Sequence, residues 1–200
     1  MVMSDGVVFR PGDHVCAFYR GSKGRDDVLV TYLSEGMRQG QRCVCYLDAV
    51  GDDVVVDDLR TRLRRTEPGA TDRSPDIVDF SQSYLRNGRF SETEWLDVVR
   101  TSADGGAEGV PVIRAAGEMS WSLRSNCPGV EAWSSYEARI NLLHTECHIF
   151  LCLYDVERFG GDAIIDVLRT HPKVITDNVL TDNPYYVAPE QFLAEGRVRA

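Results

Sequence analysis

The chain has 200 residues, 43% of them hydrophobic and 26% charged, with a formal net charge of −9. That length fits one domain with a sizeable core, and the acidic balance argues against non-specific nucleic-acid binding, which rests on cationic neutralisation of phosphates. No apolar run approaches the roughly 20 residues that span a bilayer, and the opening Met-Val-Met-Ser-Asp-Gly lacks the basic flank and apolar stretch of a signal peptide.

Apolar runs alternate with helical patterns along the chain. His14 to Tyr19 reads as a first strand, followed by a turn from Arg20 to Arg25. Residues 26–39 then carry Leu29, Leu33 and Met37 on one face, with Val30 beside them and Gly40 in the C-terminal capping place. Arg42 to Leu47 is a second strand, ending at Asp48. A helix over about 52–64 follows, with Asp52 as N-cap and a stripe of Val55, Leu59 and Leu63. Its end holds the basic cluster Arg60, Arg62, Arg64 and Arg65, where cations complement the helix dipole.

Residues 66–75 read as a polar loop and Ile77 to Phe80 as a short third strand. Ser91-Glu-Thr-Glu94 is a capping box that opens a helix to about Ser102. A glycine-rich turn, Ala103 to Gly109, leads to a fourth strand over 111–116. A helix over about 130–143 places Trp133, Glu137, Ile140 and Leu143 near one face. His148 to Tyr154 is a fifth strand ending at Asp155, and a helix over 162–169 stops at His171-Pro172. The run 174–180 reads as a sixth strand, with Asn183 to Leu193 as a closing tail. Strands alternating with helices predict a three-layer α/β domain, a mostly parallel central sheet covered on both faces. The domain is expected over 10–193, with tails at 1–9 and 194–200, in a cytoplasmic protein.

Several groups of residues carry possible chemistry. Arg20-Gly-Ser-Lys-Gly-Arg25 sits where a phosphate-binding loop would lie, but it does not match Gly-x-x-x-x-Gly-Lys-Ser/Thr, and Asp26-Asp27 would repel a triphosphate, so no ATP hydrolysis is expected. His14 and Cys16 share one face of their strand, as do Cys43 and Cys45. If those strands are neighbours, His14, Cys16 and one of Cys43 and Cys45 could approach as a zinc-type site; otherwise His14 is a buried histidine with reduced core thiols packed around it. His144, Cys147 and His148 form a second, weaker metal-type grouping at a helix-to-strand junction. Asp48, Glu118 and Asp155 each end a strand and could form a ligand, acid-base or metal set; Asp48 and Asp155 are equally readable as caps, whereas Glu118, between Gly117 and Met119, has no obvious capping duty. Glu137, on an apolar helix face, needs a partner, and Arg114 is the expected one. No Gly-x-Ser-x-Gly elbow is present, and His171 matches no nucleophile.

The stretches Gly12-Asp-His-Val-Cys-Ala-Phe-Tyr19, Tyr32-Leu-Ser-Glu-Gly-Met-Arg-Gln-Gly-Gln-Arg-Cys43, Arg114-Ala-Ala-Gly-Glu-Met-Ser-Trp121, Tyr136-Glu-Ala-Arg-Ile-Asn141, Cys152-Leu-Tyr-Asp155, Leu168-Arg-Thr-His-Pro172 and Asn183-Pro-Tyr-Tyr186 together resemble the MEDS domain, the methanogen/methylotroph DcmR-type sensory domain. The resemblance implies a fold distantly similar to the RecA/KaiC type without its phosphate-binding loop. It also implies sensing of a small organic compound, a one-carbon or hydrocarbon derivative among them, with His14 and the Glu118–Trp121 corner as ligand contacts. Family members are fused to DNA-binding helices, histidine kinases or anti-sigma modules. In this chain, output is expected through such a regulatory partner or through self-association, without direct nucleic-acid or membrane contact.

Open α/β sheets bind ligands beyond the carboxyl ends of their strands. The expected pocket lies at that rim, with Phe18, Tyr19, Met119 and Trp121 as apolar walls, His14 and Glu118 as polar contacts, and Cys16, Asp48 and Tyr154 nearby. Two alternatives remain. One is a degenerate nucleotide-binding or metal-dependent enzyme that uses Asp48, Glu118 and Asp155. The other is an interaction module presenting its sheet edge or the tail around Tyr185 and Tyr186.

Overall fold

The computed structural model describes residues 8–48, 53–66, 74–104, 112–143, 146–176 and 179–199. Its strands are β1 (His14–Tyr19), β2 (Arg42–Leu47), β3 (Asp76–Asp79), β4 (Ile113–Glu118), β5 (His148–Asp155), β6 (Lys173–Thr176) and β7 (Val179–Asp182). The helices are α1 (Gly21–Arg38), α2 (Asp53–Thr66), α3 (Glu92–Asp104), α4 (Trp133–Ile140), α5 (Gly161–Thr170) and α6 (Pro189–Arg199). One sheet holds all seven strands in the order β3-β2-β4-β5-β1-β6-β7. Every pairing is parallel except β6 with β7.

Two hydrophobic layers lie on opposite faces, as the alternation of strands and helices predicts. Val15, Ala17, Cys43, Cys45, Ile149 and Leu151 face α1 and α2, meeting Leu29, Leu33, Leu59 and Leu63. Cys16, Ala115, Phe150, Cys152 and Tyr154 face the other way, meeting Trp95 and Val99 of α3, Tyr136 and Ile140 of α4, and Val167 of α5. The central strand β5 is buried at every position, which is why its sequence is a continuous apolar run.

Three sequence expectations change. The supposed turn after β1 is already helix, because α1 starts at Gly21 directly after the strand. Asp26 and Asp27 therefore lie inside that helix, buried and paired with Arg25, Lys23 and Arg62 rather than facing an anion. The sixth strand is a hairpin of two short strands, and the tail contains α6. Gly40 does close α1: its φ of +74° is left-handed and its N–H donates to the Met37 carbonyl. The Asp52 cap and most of the expected loops at 66–75 and 103–109 fall outside the described residues.

Gly129 precedes the short 3₁₀ turn that leads into α4. Its φ is +86°, and an added Cβ would stand 2.2 Å from the Phe90 carbonyl oxygen. Both the backbone conformation and the contact exclude a side chain here. We expect Gly129→Ala to lose about 2 kcal/mol or more of stability in urea unfolding; a change below about 0.5 kcal/mol, the ordinary surface range, would show that this entry into α4 relaxes freely.

Candidate functional site: a buried imidazole, carboxylate and thiol cluster beside an apolar cavity

His14, Glu137, Cys152 and His171 come together under α4, each buried, with one ligand-type atom from each within 4.8 Å of all the others. Strand alternation sends His14 of β1 and Cys152 of β5 to the same face, where β1 and β5 pair with Cys16 opposite Cys152. Glu137 descends from α4, and His171 is the residue after α5. Glu137 Oε2 lies 3.0 Å from His14 Nε2, 3.2 Å from His171 Nε2 and 3.5 Å from Cys152 Sγ. Cys152 Sγ is also 3.5 Å from His14 Nε2.

Outer contacts fix the two rings. Asn141 Nδ2 donates to the carbonyls of Glu137, Ala138 and Thr170, so its Oδ1 is the atom that meets His14 Nδ1 at 3.0 Å. That oxygen can only accept, so His14 Nδ1 carries a proton. His171 Nδ1 donates to the Val167 carbonyl at 2.8 Å. Both Nε2 atoms therefore converge on the carboxylate.

Burial by itself raises the pKa of Glu137, but its contacts with the two imidazoles outweigh that and hold it at about 2. Burial and the neighbouring His14 push His171 below the usual histidine range. Cys152 is raised well above the ordinary thiol by burial and by the Glu137 carboxylate. Glu137 Oε1 and His171 Nε2 have no aligned hydrogen-bond partner.

Beside this cluster a cavity of about 190 Å³ lies between the sheet and α3/α4. Its walls include Tyr46, Tyr84, Trp95, Tyr136, Phe150 and Cys152. It shares Arg42, Val44, Tyr46, Trp95 and Val98 with a larger, more open cleft beside β3 and α3. Cys152 borders both cavity and cluster.

The structure does not assemble the expected rim pocket. His14 is level with Phe150 and thus with Ala115, whereas Glu118 lies three residues further along β4 on the opposite face. Glu118 accepts from Tyr19 Oη at 2.8 Å and from the Ser120 N–H at 3.0 Å, so it caps the 3₁₀ turn Met119–Leu123. Trp121 is fully buried, stacked on Tyr84 at 4.8 Å and against Phe90 at 4.4 Å. Met119 fills the same core, and Phe18 packs at its edge. Asp48 pairs with Arg124, and Asp155 caps the Glu157 N–H. Tyr154, its ring 5.7 Å from that of His171, joins the surroundings of the cluster instead.

The expected metal partners also change. β4 and β5 separate β2 from β1, and Cys43 and Cys45 face α1 rather than His14. Cys16 shares the face of His14, but its thiol contacts the Lys173 carbonyl. Arg114 does not reach Glu137. It projects to the α1 side, stacked over Tyr32 at 4.7 Å and bonded to Gln41 and the Tyr32 carbonyl. His144 falls outside the described residues, while Cys147 and His148 contact each other at 3.2 Å. Cys152 and His171 lie in two of the stretches that carry the family resemblance, but neither was singled out as a site residue; the usable signal for the cluster was an acid on an apolar helix face, which needs a partner.

Residues 13–172 match the family model described as MEthanogen/methylotroph, DcmR Sensory domain (MEDS). The chain belongs to the MEDS family. The transcriptional repressor DcmR of Methylorubrum extorquens (strain DSM 6343 / CIP 106787 / DM4) is 29% identical over 162 residues, covering 80% of this chain and 58% of the repressor. This MEDS domain thus spans little more than half the length of the curated relative it matches. Among solved structures, EssC (ATPases 2 and 3) from Geobacillus thermodenitrificans is similar at a TM-score of 0.44 and 10% identity, over 82% of this chain and 32% of that one. The family is described as a sensory domain, and the relative that matches is a transcriptional repressor. Among the described residues, no helix is long and apolar enough to cross a membrane.

Removing one member of a buried polar cluster strands the others. In chelator-treated protein, Glu137→Leu is expected to cost about 3 kcal/mol in urea unfolding. Glu137→Gln is expected to cost about half as much, since its amide can donate to one Nε2. Equal stability of Glu137→Leu and wild type would show that the imidazoles need no partner.

Proposed function

We propose that this MEDS domain detects a small, largely apolar organic molecule held in the cavity between the sheet and helices α3 and α4. The carrying observation is that cavity: about 190 Å³, walled by aromatic rings with a few polar groups at its margin. Sites for drug-sized ligands run to about 300–1,000 Å³, so the guest has few heavy atoms. Apolar cavities of about 150 Å³ take up benzene-sized guests. A hydrocarbon or halogenated one-carbon derivative fits that volume and wall chemistry, which accords with the sensory family and the repressor relative.

The polar margin comes from Arg42, where the cavity meets the larger cleft, and from Ser102, His148 and Cys152. His148 Nε2 meets Ser102 Oγ at 3.0 Å, and burial lowers its pKa, so the neutral ring lines the wall without a charge. This setting suits recognition without transformation. The strand-end carboxylates Asp48, Glu118 and Asp155, which an enzyme reading would use, are engaged as an ion pair and as turn caps. Binding passes its signal to a regulatory module in the same polypeptide or in a partner protein, because a guest shifts the fold only through its different affinity for two conformations.

Ala115 lines the cavity and is nearly buried. Ala115→Leu should fill part of it and weaken binding of small guests such as dichloromethane or benzene by at least tenfold. The folded state should keep its stability, because the added methylenes occupy empty space. Titration calorimetry of both proteins against a panel of such compounds checks this. Saturable binding in wild type that survives Ala115→Leu unchanged would place the guest elsewhere.

A further inference from the structure

We infer that His14, Glu137, Cys152 and His171 form a binding site for a divalent transition-metal ion of the zinc type. The inference stands independently of what the cavity binds. Bond lengths of about 2.0–2.3 Å in a tetrahedral zinc centre place donor atoms roughly 3.3–3.7 Å apart. Four of the six separations are 3.0, 3.2, 3.5 and 3.5 Å, close to that tetrahedron's edges, and all six lie within 4.8 Å.

The surroundings match what holds a metal-ligating imidazole in place. Each ring has its Nδ1 proton taken by an outer oxygen, that of Asn141 for His14 and the Val167 carbonyl for His171. In the neutral tautomers this leaves both Nε2 lone pairs beside Glu137 Oε2, at 3.0 and 3.2 Å, acceptor next to acceptor. A cation between them removes that conflict. Glu137 Oε1 and His171 Nε2, both buried and without an aligned partner, are the atoms left over in the metal-free arrangement.

Charge closes the argument. An ion of charge +2 meets one carboxylate and one thiolate, with two neutral imidazoles, so the buried unit is neutral overall. The occupied site then buries no net charge. Binding displaces the Cys152 thiol proton to solvent and forms the metal–sulfur bond, with no change of oxidation state. The two imidazoles and the thiolate favour zinc, cobalt or iron over magnesium or calcium, which take oxygen ligands. Four protein donors make the site closed and structural, tying α4 to β1, β5 and the residue after α5.

The test uses the full chain, treated with chelator and then titrated with Zn²⁺ or Co²⁺. One ion per chain is expected, with the visible bands of tetrahedral cobalt and a near-ultraviolet thiolate charge-transfer band. Affinity should fall at least a hundredfold in Cys152→Ala and stay unchanged in Cys45→Ala, whose sulfur faces the other side of the sheet. X-ray absorption at the zinc edge of the wild-type protein should show one sulfur and three nitrogen or oxygen neighbours, which keeps the question answerable if a variant fails to fold. A folded, metal-free protein that takes up neither ion would overturn the inference and leave a proton-only network. A bound ion without sulfur, or one indifferent to Cys152→Ala, would overturn it as well by locating the metal elsewhere.

Discussion

A carboxylate with no access to water sets the arrangement of one whole face of this protein. Glu137 is fully buried, and an ionised group in that position costs several kcal/mol unless its partners arrive with it. Those partners come from β1, the middle of β5 and the end of α5, so Glu137 fixes where α4 lies against three distant segments. Asn141, one turn further on, repeats the tie by donating to the Thr170 carbonyl and meeting His14. Asn183 extends it by donating to the carbonyls of Leu168 and His171, which anchors the chain after the β6–β7 hairpin. Tyr136 and Ile140, on the same helix as Glu137, are walls of the cavity. The cavity's shape is therefore a consequence of where the buried acid is held.

Much of the fold was legible because the sheet is buried on both faces. β1 and β2 match their apolar runs residue for residue, and β5 runs one residue past its own, since a strand covered on both faces reads as a continuous hydrophobic segment. The start of α1 was not legible: two glycines, a serine and charges read as a turn, yet the chain turns straight into helix with Gly21 at a φ of +61°. The residues 174–180 were read as one strand although Asp177-Asn178 interrupts their apolar run; antiparallel pairing divides them into β6 and β7.

The site was legible residue by residue and not as an assembly. His14 stood out, and Glu137 was recognised as an acid needing a partner. Their true neighbours depend on strand order and on face parity, two long-range properties. Consecutive strands β1 and β2 suggest contact, but β4 and β5 insert between them, which replaces Cys43 and Cys45 with Cys152. Arg114 lies on a strand that faces α4 only through Ile113, Ala115 and Gly117, so its guanidinium is committed to the opposite layer. Trp121 and Glu118 were read as a pocket mouth because strand ends usually open there. Here a stack of Trp121 on Tyr84 and a cap by Glu118 close the expected mouth, and the aromatic-walled cavity lies instead between sheet and helices.

A core of apolar side chains of the same volume would hold α4 in place at least as firmly as a buried ionic cluster does. Stability alone therefore does not account for two histidines, a glutamate and a cysteine at this point, and their position relative to the cavity does the explaining. Cys152 touches both: its sulfur lies 3.5 Å from His14 and Glu137, and it forms part of the cavity wall. A guest in the cavity would rest against that sulfur and against α4 at once. Helix α6 packs on α4 and α5, so a displacement of α4 alters the cavity, the cluster and the surface formed by α6 together. A sensory domain needs a displacement of this kind, one that two conformations resolve differently and that a ligand can favour by its contacts.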